Sequence, residues 1–317
     1  MAVFIELREE DAIAACRAWN LGKLLAVEPT AEGIENSNYF LSTERRGERR
    51  EWVLTLGAGD FPSVMLTTLV RLDAAGLPVP VPLRHRSGAR SGQIAGAPAL
   101  IAPRFPGSHP HRPRVDQCAA IGRFLARMHR VTIGVSGPDH PRDEAWLAER
   151  AGLHAPRLGA LGKQRLADAL NVLEAATRRP EWAGLPAGLV HGDLFRDNAL
   201  FDETGLRAVI DFHHTARAPL LFDLAVVAND WCSRVDGRFD GDRLQGLLRG
   251  YARLRPLSRE ECWMWPVMTL LAALRFWLAR LDVPRKPPQE MARILDWRLR
   301  EGLPLSPALT ANPSAGS

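Results

Sequence analysis

Hydrophobic and polar positions divide the chain near residue 107. Asn38 to Leu41 and Trp52 to Leu56 are short β-favouring runs separated by the polar segment Ser42 to Arg50, which predicts a hairpin. Ser63 to Ala75 places Val64, Met65, Leu69 and Leu72 close to the 3.6-residue period. It ends at Gly76, ahead of Pro78-Val79-Pro80-Val81-Pro82, as an amphipathic helix should. Gly88 to Gly96 reads as a turn, and Ala99 to Phe105 as an extended run closing at Pro106-Gly107. The first hundred residues are thus mostly strand, with one intervening helix.

Beyond Gly107 helical spacing takes over. Cys118, Ile121, Leu125 and Met128 mark one helix, Leu161 to Arg178 another, and Ser258 to Leu281 a long apolar segment interrupted near Pro266. A β-type island, Leu189 to His191, Ala199 to Phe201 and Ala208 to Phe212, lies among them. From Leu303 the chain loses periodicity and reads as a loose tail. No internal repeat is visible. The fold class is α+β, divided into residues 1–102, 103–302 and a tail, 303–317.

Composition narrows the function. The 317 residues, 46% hydrophobic and 24% charged, suit a globular chain with a substantial core. The formal charge is +5, and Lys23, Lys163 and Lys286 are the only lysines, so the basic residues are almost all arginines. These are scattered among acids, which argues against a nucleic-acid partner but leaves room for a local cationic cleft that takes an anionic ligand. Cys16, Cys118, Cys232 and Cys262 are far apart, with neither zinc-ligand spacing nor a disulfide framework. The N-terminus, with Glu6, Arg8, Glu9, Glu10 and Asp11, lacks the pattern of a signal peptide. The apolar run Trp263 to Leu274 contains Pro266 and falls short of the ~20 residues that span a bilayer. A cytoplasmic chain without a membrane segment is expected; its oligomeric state is not legible.

The densest polar cluster is His191-Gly192-Asp193-Leu194-Phe195-Arg196-Asp197-Asn198, followed thirteen residues after Asn198 by Asp211 in Val209-Ile210-Asp211-Phe212. This matches the kinase spacing His-x-Asp-x-x-x-x-Asn, then Asp-Phe. Phosphoryl transfer explains the residue types: Mg²⁺ prefers oxygen ligands, one carboxylate must orient the attacking hydroxyl, and a carboxamide ligates without adding charge. Asp193 is the expected catalytic base, Asn198 and Asp211 the expected metal ligands, His191 an architectural residue and Asp197 a turn support. The plainer alternative is a hairpin whose Asp and Asn residues serve only turns.

The chain resembles homoserine kinases of the aminoglycoside phosphotransferase-like type, from about Glu32 to Arg300. The resemblance is carried by Glu32 to Phe40, Trp52 to Leu56, Gly76 to Pro80, His191 to Asn198, Pro219 to Ala225, Asn229-Asp230-Trp231-Cys232 and Leu274 to Leu281. It implies a protein-kinase-like bilobal fold, with a small β-rich N-lobe for nucleotide and a larger, mostly helical C-lobe for catalysis and substrate. It implies ATP and Mg²⁺ as cofactors and L-homoserine as the small-molecule substrate. On that pattern Gly33, Asn36, Ser37 and Asn38 form the phosphate-covering turn, and Pro103, Arg104 and Phe105 lie near the adenine, with Arg104 a nucleotide contact. Asn229, Asp230, Trp231 and Arg275 are candidates for the acceptor, Arg275 being equally open to an internal pair with an Asp. Asp223 would brace the catalytic loop by backbone hydrogen bonds.

Two departures bear on this pattern. Thr55 stands where a generic kinase places a lysine, as is usual for this branch. Phe212-His213-His214-Thr215-Ala216-Arg217 replaces a more aromatic, acid-containing stretch, so acceptor choice could change there. His213 and His214 are loop residues or substrate contacts, and Arg217 meets a carboxylate or only solvent. Trp263, Met264, Trp265, Met268 and Trp277 read as core, and His129 as a hydrogen-bonded helix residue. A different amino alcohol or aminoglycoside acceptor, or a nucleotide-binding module without turnover, are the competing functions.

Overall fold

The computed structural model describes residues 5–30, 36–283 and 288–301. Two compact units emerge. One comprises residues 1–107 together with Arg207–His213; the other holds Ser108–Leu206 and the chain from His214 onward. Continuity in sequence therefore does not define the units.

The first unit is built on an antiparallel sheet of order β1-β2-β3-β5-β4, made of β1 (Lys23–Pro29), β2 (Ser37–Arg45), β3 (Glu48–Leu56), β4 (Gly92–Ile94) and β5 (Ala97–Pro103). Helix α1 (Glu9–Ala18) precedes it and α2 (Ser63–Ala74) follows β3, ending where Gly76 takes φ +71°. The strands β2 and β3 run well into the segment read as a polar turn. Arg46 and Gly47, at φ +55° and +80°, suffice to reverse the chain, a two-residue connection whose twist suits a hairpin. Polar residues continue the strands because one sheet face is open. Along β2, Ser37, Tyr39, Leu41 and Thr43 are buried, while Asn38, Phe40 and Ser42 are half-exposed. The buried face joins Ala12, Ala15 and Cys16 of α1 with Leu54, Leu56 and Ile101 in one core. Helix α1, strand β1 and strand β4 are additions to the expected one-helix unit, short elements whose burial depends on the assembled sheet.

The second unit contains α3 (Val115–Thr132), α4 (Glu144–His154), α5 (Ala160–Thr177), the short α6 (Pro180–Ala183), α7 (Leu221–Trp231), α8 (Gly241–Ala252), α9 (Arg259–Leu281) and α10 (Gln289–Arg300). Among them β6 (Ala187–Val190) pairs antiparallel with β9 (Ala216–Pro219). After β7 (Ala199–Asp202) the chain enters β8 (Gly205–Val209) and passes into the first unit.

Pro266 does not interrupt α9, contrary to the sequence reading. A proline inside a helix costs ~3 kcal/mol. Burial of one large apolar side chain returns ~1.5–3 kcal/mol, and Met264, Trp265, Met268, Leu271, Phe276 and Trp277 are all buried on this helix. The start is also secured: Ser258 Oγ accepts from the Glu261 N–H at 3.1 Å while Glu261 accepts from the Ser258 N–H at 2.8 Å. By length and composition α9 could cross a membrane, yet 72% of its most apolar window is buried inside the protein, the pattern of a core helix.

Helices α3 and α8 meet through glycines. A β-carbon on Gly122 would lie 2.2 Å from the Leu247 carbonyl oxygen, and one on Gly250 2.3 Å from that of Ala119. This close approach sets His129 of α3 2.8 Å from the Tyr251 hydroxyl of α8. Gly250→Ala is expected to force the helices apart and lower unfolding free energy by about 1–3 kcal/mol or more, measured by urea denaturation. A variant as stable as the parent would contradict the close contact.

Candidate active site

The loop leaving β6 in the second unit carries the kinase-like motif. His191 is fully buried and Gly192 takes φ +81°. A β-carbon on Gly192 would lie 2.7 Å from the His214 carbonyl oxygen, so both conformation and space demand glycine. The Asp193 N–H donates to His191 Nδ1 at 3.2 Å, and the Asp193 carbonyl accepts from the Phe195 N–H at 2.8 Å and the Asn198 amide at 2.7 Å. The Asp193 backbone is thus held on both sides. Because Asn198 Nδ2 is committed to that carbonyl, its Oδ1 is the atom turned to other partners.

Behind the loop lies Asp223 of α7, with no exposed surface. Its carboxylate accepts from the His191 N–H at 2.7 Å, the Gly192 N–H at 2.8 Å and His129 Nε2 at 3.1 Å. Burial alone raises a carboxyl pKa. Here the His129 hydrogen bond, the His129 and His191 rings and the Gly192 N–H outweigh burial and hold Asp223 below the ordinary carboxylate range. The chain of contacts continues from His129 to Tyr251, from Tyr251 to Arg255 at 2.9 Å and from Arg255 to Glu261 at 3.0 Å, the residue that caps α9.

Two of the three residues after Ala228 also serve the loop. Asp230 is buried, accepts from the Arg196 N–H at 2.7 Å and lies 3.5 Å from the Arg196 guanidinium. Arg196 also meets Glu290, which pairs with Arg280 at 3.0 Å. Trp231 is fully buried and its Nε1 donates to the Leu194 carbonyl at 3.2 Å. Asn229 donates to the Thr269 carbonyl at 2.8 Å and accepts from Arg298 at 3.0 Å. Asn229, Asp230 and Trp231 were expected at the acceptor; instead their polar atoms are taken up inside the helical unit, where Asp230 and Trp231 support the loop and Asn229 ties α7 to α9 and α10. Their positions on a helix entirely buried from Leu221 to Trp231 explain why. Arg275, half-buried on α9, lies over the Phe222 ring at 4.8 Å, and among the described residues no carboxylate pairs with it.

The first unit holds the other candidates. Asp211 adopts φ +62°, rare for a non-glycine residue, and its carboxylate accepts from His213 Nδ1 at 2.8 Å. His213 Nε2 receives the Asn36 amide at 3.2 Å, so Asn36 and Asp211 are bridged by one imidazole that the sequence reading took as a loop residue or a substrate contact. Asn38 Oδ1 accepts from Thr55 Oγ1 at 2.7 Å, across directly paired positions of β2 and β3. Thr55, which stands where a generic kinase places a lysine, therefore fastens the start of β2. Ser37 is buried, and its Oγ accepts from the Ile5 N–H at 2.9 Å, which commits the side chain to the sheet core rather than to phosphate. Arg104 lies on the Phe40 ring at 3.8 Å and pairs with Glu51 at 3.0 Å, so its charge already has a protein partner. Gly33 lies outside the described residues. Among the described residues, no group of three His, Cys, Asp or Glu side chains gathers to hold a metal.

His140, absent from the sequence reading, comes beside the loop, its Nε2 3.4 Å from the β-carbon position of Gly192, and Arg142, likewise absent, lies over Phe276, the ring that meets Phe195 of the loop. They occupy a connection between α3 and α4, where no periodicity or spacing marks them.

Residues 26–257 match the phosphotransferase enzyme family. The chain is 39% identical over 286 residues to a protein of Pseudomonas aeruginosa named homoserine kinase, covering 89% of this chain and 88% of the relative. It is 34% identical over 339 residues to one of the same name from Cupriavidus pinatubonensis, covering 99% of each. Among solved structures, an amicoumacin kinase in complex with AMP-PNP, Ca²⁺ and its ligand aligns with a TM-score of 0.66 at 16% identity, covering 95% of this chain and 96% of that one.

Burial pushes the Asp230 carboxyl up to about 6 despite Arg196. A carboxyl with a raised folded-state pKa binds a proton more tightly in the native state, so stability is full below the unfolded value near 4 and falls as pH rises through 6. Asp230→Asn removes this dependence while keeping an acceptor for the Arg196 N–H. Its unfolding free energy relative to the parent is expected to rise by on the order of 2–3 kcal/mol between pH 4 and pH 7. A pH-independent difference in denaturant melts would refute that assignment.

Proposed function

The chain belongs to the phosphotransferase enzyme family, and on that footing we propose that it is an ATP-dependent kinase phosphorylating the side-chain hydroxyl of L-homoserine to O-phosphohomoserine. The observation that carries this reading is the rigid His191–Asn198 loop. Its backbone is fixed by Asp223 and its Asp193 backbone is held from both sides. The acceptor assignment is supported by relatives named homoserine kinase that cover nearly the whole chain.

In this reading Asp193 accepts a hydrogen bond from the acceptor hydroxyl and aligns its oxygen for attack on the γ-phosphorus. A P–O bond to the acceptor forms as the bond to the ADP oxygen breaks, and the hydroxyl proton passes to Asp193 late in transfer. Asn198 and Asp211 are the proposed Mg²⁺ ligands. The orientation of the Asn198 amide suits that task, since its Oδ1 is not the atom bonded to the loop. When bound, Mg²⁺ neutralises phosphate charge and draws electron density toward the leaving oxygen. Use of ATP is supported by the AMP-PNP bound to the related amicoumacin kinase. Asn36 and Asn38 remain the proposed side chains of the phosphate-covering turn, ordered by His213 and Thr55 respectively.

The purified protein is expected to release ADP from ATP and Mg²⁺ when L-homoserine is added, with little release for aminoglycosides or choline. Asp193→Asn should lower kcat by about 10²–10⁴-fold while retaining fold and ATP binding. No homoserine-dependent ADP release in a coupled assay would overturn the acceptor. Undiminished turnover in the variant would overturn the role of Asp193.

A further inference from the structure

Arg275 and Arg142 are two cations of the second unit without an anionic partner among the described residues. Arg275 projects from apolar α9 onto the Phe222 ring at 4.8 Å, and its Nε is buried with no hydrogen-bond acceptor. Arg142 lies over Phe276 at 5.6 Å and Trp146 at 5.7 Å. Neither guanidinium has a carboxylate within ion-pair distance among the described residues. Burial, then repulsion from Arg142, pushes Arg275 down to about 10, while Asp143 and Glu144 offset this only through their fields. A buried guanidinium left this way is costly, and an anion bound there would remove the cost.

His140 shares a neighbour with Arg275: its ring packs edge-on against Phe222, the ring that Arg275 covers, at 5.3 Å. Its Nδ1 accepts from the Arg142 N–H at 3.1 Å, which places the proton of the neutral ring on Nε2. Burial, then Arg275 and Arg142, pushes its pKa down to about 3, so the ring stays neutral and donates from Nε2. The same Nε2 lies 3.4 Å from the β-carbon position of Gly192, the residue before Asp193. Phe195 and Phe276 pack against each other at 4.6 Å nearby, an apolar wall suited to a short methylene chain.

We infer that Arg142 and Arg275, with His140, form the subsite that binds the α-carboxylate of the acceptor, so that an amino acid rather than an amino alcohol presents its hydroxyl to Asp193. This rests on the homoserine reading above and names the groups that would select the substrate. Two guanidiniums supply the charge and the fork geometry that a carboxylate accepts.

The test compares L-homoserine with 3-aminopropan-1-ol, the same chain without its carboxylate. The parent should favour homoserine strongly in kcat/KM. Arg142→Gln and Arg275→Gln should each reduce that preference by about 100-fold, largely through the homoserine KM, with the KM for ATP little changed. Arg142→Lys should restore part of it. A merely structural role would lower both acceptors in parallel and leave the ratio fixed, which would overturn the subsite while the homoserine reading stood. Should Arg275→Gln fail to fold, the half-exposed Arg142 decides alone. If the parent turns over neither acceptor, the homoserine reading falls and takes the subsite with it.

Discussion

One buried carboxylate organises the helical unit. Asp223 takes two successive backbone N–H groups of the His191–Gly192 turn and the Nε2 proton of His129. Removing a charged acceptor from such a place would strand buried donors, each costing about 1–3 kcal/mol. The turn, the direction in which Asp193 leaves it and the approach of His140 to Gly192 all follow from that anchor. Its own surroundings are supported at some distance: through His129, Tyr251 and Arg255 the anchor connects to Glu261, the same side chain that caps α9. Loop geometry and the start of α9, the helix that carries Arg275, thus belong to one hydrogen-bonded system.

A second support acts from the other side of the loop. Asp230 accepts the Arg196 N–H and Trp231 donates to the Leu194 carbonyl, so residues on both sides of Phe195 are tied to α7. Phe195 itself is free of backbone bonds to that helix and instead meets Phe276, next to Arg275 in sequence. Rigid helices therefore hold both the loop and the residue assigned to recognition. Precision of this kind is easier to build on packed helices than on surface connections.

The α+β class, the helix beginning at Ser63 and strand β5 were legible because each rests on local periodicity or on Gly and Pro. The extent of β2 and β3 was not, because Ser42, Glu44, Arg49 and Arg50 look like turn residues. Only the assembled sheet shows that one face of these strands is left to solvent. Pro266 misled for a related reason: propensity counts the lost hydrogen bond, whereas tertiary burial decides. At the proposed site, the pattern from His191 to Asp211 was visible as spacing alone, because the residue types that phosphoryl transfer needs recur in a fixed order. Burial was not. A polar Asn-Asp pair near the end of a helix suggests exposure, yet helix α7 is covered on every side, and Asn229 and Asp230 became internal supports. His140 and Arg142 escaped notice because a connection leaves no pattern; only folding brings His140 against Gly192 and Arg142 over Phe276.

The return of Arg207–His213 to the sheet-bearing unit has a consequence for biogenesis. The Val209 N–H donates to the Pro78 carbonyl at 3.0 Å, closing that unit across more than a hundred intervening positions. During vectorial synthesis the ribosome must deliver the chain past His213 before its amino-terminal half can reach its final state, by which time α3, α4 and α5 have already emerged. The last folding step of the earliest-made unit therefore waits on a later-made one, and Asp211 arrives in place only with that step.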